Sequence, residues 1–99
     1  IIIDYNKIQS YGFVSEVLNP EPMSDKWASF GFMVKEINGH DVIELKEQLS
    51  KLPFNDEKPT AFICHTIKGK GFKFAENDPT WHHKSNLTDE EIKKMYESI

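Results

Sequence analysis

The sequence contains no arginine. All twelve of its basic residues are lysines, so the planar, bidentate fork that a guanidinium offers to phosphate or carboxylate must come from elsewhere if the function needs one. It also lacks a basic excess. Sixteen acidic side chains against twelve basic ones leave a net charge of -4, which argues against a general nucleic-acid binder. The single cysteine, Cys64, cannot close an internal disulfide, and a reducing cytoplasmic setting is expected. No apolar run approaches the roughly 18–20 residues of a membrane span, and no stretch has the pattern of a signal peptide. Neither membrane insertion nor secretion is expected.

What is present is an ordinary globular composition: 38% hydrophobic, 28% charged and 12% aromatic over 99 residues. A chain of this length buries only about 60–65% of the surface its unfolded form exposes, enough for a thin core in one domain or part of one. The opening Ile1-Ile2-Ile3-Asp4 has no initiator methionine and no turn or cap before it. It reads as the interior of a strand, so the sequence is expected to be a segment of a longer chain.

Three consecutive β-branched residues at 1–3 predict a strand buried on both faces. A polar loop rich in Asn, Ser, Gly and Pro is expected over residues 4–22. Ser24 is placed to cap a short helix running to Phe30, with Gly31 ending it. Residues 32–37 predict a second strand, and Asn38-Gly39 a turn. Asp41 followed by Glu44 opens a helix on which Val42, Leu45, Leu49 and Leu52 recur at helical spacing, closed by Pro53. A third strand is expected over 60–67 and a long loop over 68–87, a length that in a compact domain points to function. Thr88 and Glu91 form a capping box for a last helix with Ile92, Met95, Tyr96 and Ile99 along one face. Strands alternating with helices imply a parallel sheet, and ligands of such sheets sit beyond the carboxyl ends of the strands. The loops after Ile3 and after Ile67 leave such ends.

Three segments carry candidate chemistry. Asn6, just past the first strand, offers an amide oxygen beside backbone carbonyls, a donor set suited to magnesium; the same residue also suits an Asx-turn. Thr66-Ile67-Lys68-Gly69-Lys70-Gly71-Phe72 places two glycines and two lysines after a strand, which allows close backbone approach to an anion or simply a solvated turn. Its glycine spacing matches neither a Walker loop nor a dinucleotide fingerprint. Trp81-His82-His83-Lys84 pairs two histidines with no third ligand at zinc spacing, so a histidine bound to an anion fits better than a metal site. Consecutive residues of an extended loop face opposite ways, so His82 and His83 are expected to diverge. Cys64 lies inside an apolar strand and, with His40 and His65, makes no persuasive catalytic set.

Taken in order, IIIDYNKIQ, DKWASFGFMVKEINGHD, KPTAFICHTIKGKGF, EN and WHHK resemble the later part of the cofactor-binding domain of transketolases. The likeness runs from Ile1 to about Glu91 and is greatest to the separate N-terminal subunit of two-subunit transketolases. It implies an α/β, three-layer parallel-sheet domain of which this is the C-terminal portion, with thiamine diphosphate and Mg2+ as cofactors. It also implies that the Asn6 side chain and the Ile8 carbonyl are magnesium ligands, and that residues 68–71 lie beside the diphosphate. Lys68, Gly69 and Phe72 then stand near the cofactor, and His82 reaches both the diphosphate and the reacting centre as the catalytic histidine. The implied reaction is transfer of a two-carbon ketol unit between sugar phosphates, in a dimer or heterotetramer. The implied partners are the remainder of this domain and a pyrimidine-binding domain or second subunit. Deoxyxylulose-phosphate synthases share the pattern after Thr66 and are the enzyme alternative; a non-catalytic anion-binding or interaction module of the same fold is another. Two features depart from the family. His83 stands where transketolases usually have glycine, and the upstream GDG segment with its aspartate ligand is absent, as is the glutamate that a partner domain supplies.

Overall fold

The computed structural model describes residues 1–98. In chain order the elements are β1 (Ile2–Tyr5), β2 (Ile8–Gln9), β3 (Gly12–Phe13), α1 (Val14–Val17), α2 (Met23–Ser29), β4 (Met33–Asn38), α3 (Val42–Ser50), β5 (Thr60–His65), a 3-10 turn (Pro79–Trp81) and α4 (Asp89–Glu97). They form two compact units: Ile1–Asn6 with Asn19–Thr66, and Lys7–Leu18 with the chain from Ile67 onward.

The first unit is built on a three-stranded parallel sheet of order β1-β5-β4. Its centre is β5, where Ala61, Phe62, Ile63 and Cys64 are all buried, as an unbroken apolar run between two neighbours requires. Ile37, Phe62 and Cys64 cluster on one face of the sheet under Leu45 of α3 and Phe54, while α2 packs against β4 and Ser24 at its start hydrogen-bonds Glu36. Register puts Ile37 and Cys64 in one row and Glu36 and Ile63 in the next, so the two helices cover opposite faces. This is the expected three-layer α/β arrangement.

Local signals explain most boundaries. Asp41 accepts from the N–H groups of Ile43 and Glu44 (3.0 and 2.9 Å), and Glu44 reaches back to the Asn38 N–H at 3.2 Å. At the end of α2, Gly31 adopts φ +90°. There Gly31 N–H donates to Ala28 O and Phe32 N–H to Trp27 O (2.9 and 3.2 Å), the two bonds of a Schellman ending. The accompanying apolar contact is Trp27 against Phe32, ring centroids 5.0 Å apart.

Several expectations are corrected. The run at residues 1–3 is not buried on both faces, because β1 lies at the sheet edge; Ile1 and Ile2 are 57% and 61% exposed. Residues 4–22 hold more than a loop. β1 continues to Tyr5, β2 and β3 pair antiparallel with Ile8 opposite Phe13, and α1 follows. Ser24 does not cap α2. Pro22 occupies that position, and the Glu21 carboxylate accepts from the Met23 N–H at 3.0 Å. Of the stripe expected on α3 only Leu45 is half-buried: Val42 is 73% exposed, Leu49 and Leu52 are exposed too, and Leu52 lies past the helix end at Ser50. The third strand ends at His65, two residues short of Ile67.

In the second unit the expected capping box is present: Thr88 and Glu91 satisfy each other's backbone N–H (3.2 and 2.9 Å). Tyr96 on α4 is exposed, and Ile99, assigned to the same stripe, lies outside the described residues.

Candidate functional site

At the carboxyl end of the first unit's sheet, Asp4 accepts a hydrogen bond from Thr66 Oγ1, and the Thr66 N–H donates to Tyr5 O at 3.3 Å. These bonds tie the ends of β1 and β5 together and fix the point from which Asn6 leaves the sheet. Asn6 is half-buried and ends the first of the two segments that make up the first unit. Ile8 belongs to the second unit, where it is buried in β2 and paired with Phe13. An amide oxygen and a main-chain carbonyl are each hard, neutral donors of the kind magnesium takes alongside phosphate oxygens.

Cys64 and His65 point to opposite faces of β5. Burial, with Asp4 nearby, pushes the Cys64 thiol up, which disfavours the thiolate. His65 instead meets the Glu36 carboxylate at 2.7 Å and lies against the ring of Tyr5. The rejection of a cysteine–histidine pair therefore agrees with the geometry.

In the second unit the segment from Lys68 to Asn77 closes on itself. The Asn77 N–H donates to Lys68 O at 3.0 Å, and Lys70 and Phe72 donate to Ile67 O and Gly69 O. The Gly71 N–H goes to Glu76 Oε1 at 3.2 Å. The loop thus spends these amide donors internally, and its backbone is not an open nest of N–H groups. Gly69 is required for a different reason. Its φ is +76°, and a Cβ there would come within 2.5 Å of the Ala75 carbonyl oxygen, so the turn can pack over buried Ala75 only without a side chain.

The lysines divide. Lys70 stands 3.9 Å from Glu76, whereas Lys68 enters no ion pair among the described residues and its charge acts on His82. Phe72, Phe74 and Trp81 stack in sequence, with centroid separations of 5.9 and 5.4 Å. This places Phe72 at one end of an aromatic row that leads to the residue before His82.

The 3-10 turn before His82 starts at Asp78, whose carboxylate accepts from Thr80 N–H and Thr80 Oγ1 (2.9 and 2.8 Å); these bonds hold its carboxyl below the usual range. Asp78 is not among the candidates read from the sequence, although an aspartate followed by proline is a recognisable helix start. A second clamp has no local signal at all. Lys84 Nζ sits 4.1 Å over the Trp81 ring and donates to Glu91, joining the histidine segment to α4.

His82 is half-buried, and its Nδ1 is buried with no hydrogen-bond partner among the described residues. Burial, then His83, then Lys68 hold its basicity below that of an ordinary histidine. The expectation that His82 and His83 diverge is overturned: their ring centroids lie 4.2 Å apart, edge to face. His83 has φ +57°, which turns the two side chains together instead of alternating them. Lys68, Gly69, Phe72 and His82 thus share one unit. An ammonium outside any ion pair among the described residues suits a diphosphate in charge, while the orphaned Nδ1 of His82 is buried and leaves only the other ring nitrogen to face a ligand.

Comparison with known proteins gives these features a setting. Residues 1–99 match the family described as transketolase, thiamine diphosphate binding domain. An apulose-4-phosphate transketolase subunit from Actinobacillus succinogenes is 40% identical over 90 residues, covering 91% of this chain and 32% of that protein. The subunit of the same name from Phocaeicola vulgatus is 34% identical, covering 99% and 36%. A 1-deoxy-D-xylulose-5-phosphate synthase of Treponema pallidum is 42% identical over 65 residues, 61% of this chain and 10% of that one. The transketolase structure from Campylobacter jejuni superposes with a TM-score of 0.80 at 33% identity, covering 97% of this chain and 15% of that one. The chain therefore spans about a third of the length of the transketolase subunits it matches. It belongs to the transketolase thiamine diphosphate binding domain family.

Proposed function

We propose that this chain is the C-terminal portion of the cofactor-binding domain of a transketolase-type transferase, which moves a two-carbon ketol unit between sugar phosphates. The observation that carries this reading is the pairing, in one unit, of Lys68 with His82. Among the described residues Lys68 enters no ion pair, and the buried Nδ1 of His82 lacks a partner.

Thiamine diphosphate, when bound, would supply the electron sink that lets a carbon–carbon bond break and form. The chain's own residues bind and orient. The Asn6 side chain and the Ile8 carbonyl would hold Mg2+ against the diphosphate, and Lys68 would offset its negative charge. Gly69 would let the backbone approach the cofactor, with Phe72 beside it and His82 reaching toward the reacting centre. The rest of the domain and a pyrimidine-binding domain or second subunit would complete the cleft, in a dimer or heterotetramer. The lone buried Cys64 suits a reducing cytoplasm. No helix among the described residues is long and apolar enough to cross a membrane.

A deoxyxylulose-phosphate synthase is the second reading, supported by the 42% identity to the Treponema pallidum enzyme. The transketolase subunits match more of the chain, which favours ketol transfer. Calorimetric titration of the full-length protein with its partner subunit, using thiamine diphosphate and Mg2+, tests the reading, followed by a ketol-transfer assay. Saturable, magnesium-dependent binding with transfer between sugar phosphates is expected. A complete assembly that binds no cofactor would overturn it.

A further inference from the structure

The left-handed backbone at His83 (φ +57°) brings two consecutive imidazoles into edge-to-face contact, 4.2 Å between centroids. Their surroundings differ. His83 is exposed, whereas His82 is half-buried, with Nδ1 sealed from solvent and unpartnered among the described residues.

We propose that its contact with the exposed His83 holds the half-buried His82 ring neutral. Two positive charges on touching rings oppose each other, and the ring shielded from water is the costlier one to charge. The charged ring must carry a proton on Nδ1, a buried donor with no acceptor, and this costs more than leaving that nitrogen as the unpaired acceptor of a neutral ring. Lys68 adds charge of the same sign. The remaining charged groups of the segment are committed elsewhere: Asp78 to Thr80, and Lys84 to Trp81 and Glu91. The burial and like-charge effects on His82 act in the same direction.

The consequence rests on the proposed function and refines it. A neutral His82 without a proton on the sealed Nδ1 carries its N–H on Nε2 and would offer it as a donor to a ligand oxygen, and Lys68 is left as the cation for the diphosphate. His83, at the usual glycine position, becomes a positioning residue that acts through His82.

The test is a histidine 13C NMR titration of the full-length protein assembled with its partner subunit, without cofactor. In the parent, the His82 resonance should titrate below the ordinary histidine range. Glycine and asparagine both tolerate a left-handed backbone, so His83→Gly and His83→Asn remove the second imidazole and keep the turn. In both variants the His82 titration should move upward toward the ordinary value. A His82 titration that stays in place in both, or moves down, would overturn the coupling. Because no cofactor is present, failure of thiamine diphosphate to bind in calorimetry would sink the functional reading and leave this result standing.

Discussion

Lys84 lies flat over the indole of Trp81, its ammonium 4.1 Å from the ring centroid, and donates to the carboxylate of Glu91 on α4. The same carboxylate accepts the Thr88 N–H. Lys84 and that backbone bond hold the Glu91 carboxyl down to about 2, from an ordinary 4.5. A carboxyl lowered on folding contributes stability that is present above the unfolded value and lost as pH falls through the folded one. The contribution of the Glu91 carboxylate should therefore be full above about pH 4.5 and be lost as pH falls through about 2. Glu91→Gln keeps an acceptor for Thr88 and removes the charge. Amide exchange at the start of α4 should then quicken at neutral pH and lose its acid dependence; unchanged protection would contradict the clamp.

Tyr5 supplies the opposite sign. Burial, followed by its hydroxyl's 2.6 Å bond to Glu21, raises it from 10.0 to about 12. Its stabilisation is present below about pH 10 and lost as pH rises through about 12. Tyr5→Phe should cost about 1 kcal/mol, the net worth of one hydrogen bond, and should erase the latest tyrosinate transition in an alkaline absorbance titration. If the difference spectrum shows Tyr5 ionising with the exposed tyrosines, the burial argument fails.

The sequence made several helix ends plain, missed the start of α2, and left the third dimension obscure. Thr88 with Glu91, Asp41 with Glu44, and Gly31 after Phe30 are contacts within a few residues, so a linear reading finds them. The central strand was legible because four consecutive apolar residues need two covered faces. The position of β1 at the sheet edge was not, since a run of isoleucine reads alike at the centre or edge of a sheet. β2 and β3 are two residues each, too short for any period to show. At the site, the resemblance picked out Lys68, Gly69 and His82, but no pattern announces that Lys84 reaches Trp81 and Glu91. The meeting of His82 and His83 depends on one dihedral at a residue whose type argues against it.

Asn6 carries the metal expectation. Asn6→Ala in the assembled enzyme removes a neutral oxygen donor at the mouth of the sheet while leaving β1 and its Asp4–Thr66 bond intact. The magnesium concentration for half-maximal activity should rise roughly 10–100-fold, a larger change than any in thermal stability without metal. An unaltered magnesium dependence would remove Asn6 from the ligand set.

His82→Ala tests the group assigned nearest the chemistry. Loss of a proton-transferring or charge-stabilising side chain typically lowers turnover about 10–10³-fold, and the lost group here is half-buried rather than free in solvent. Ring removal leaves Lys68 and the Asp78–Thr80 cap in place, so cofactor affinity should change far less than turnover. A variant that loses cofactor affinity in proportion to turnover would assign His82 to binding alone.

Gly69→Ala separates loop architecture from charge. The added Cβ would have to occupy space 2.5 Å from the Ala75 carbonyl oxygen at φ +76°, so the turn must open or the residue must leave its left-handed conformation. Alanine at such a position costs more than the roughly 0.4–1 kcal/mol that glycine replacement gains at permissive sites. Nothing charged is altered, since Lys68 flanks the change and Lys70 keeps Glu76 within reach. If residues 68–72 present backbone to the cofactor, thiamine diphosphate affinity should fall together with protection of the Asn77 amide, which donates to Lys68 O. Retained affinity with a disordered loop would show that the lysine charge suffices, and the role of Gly69 would then be confined to packing over Ala75.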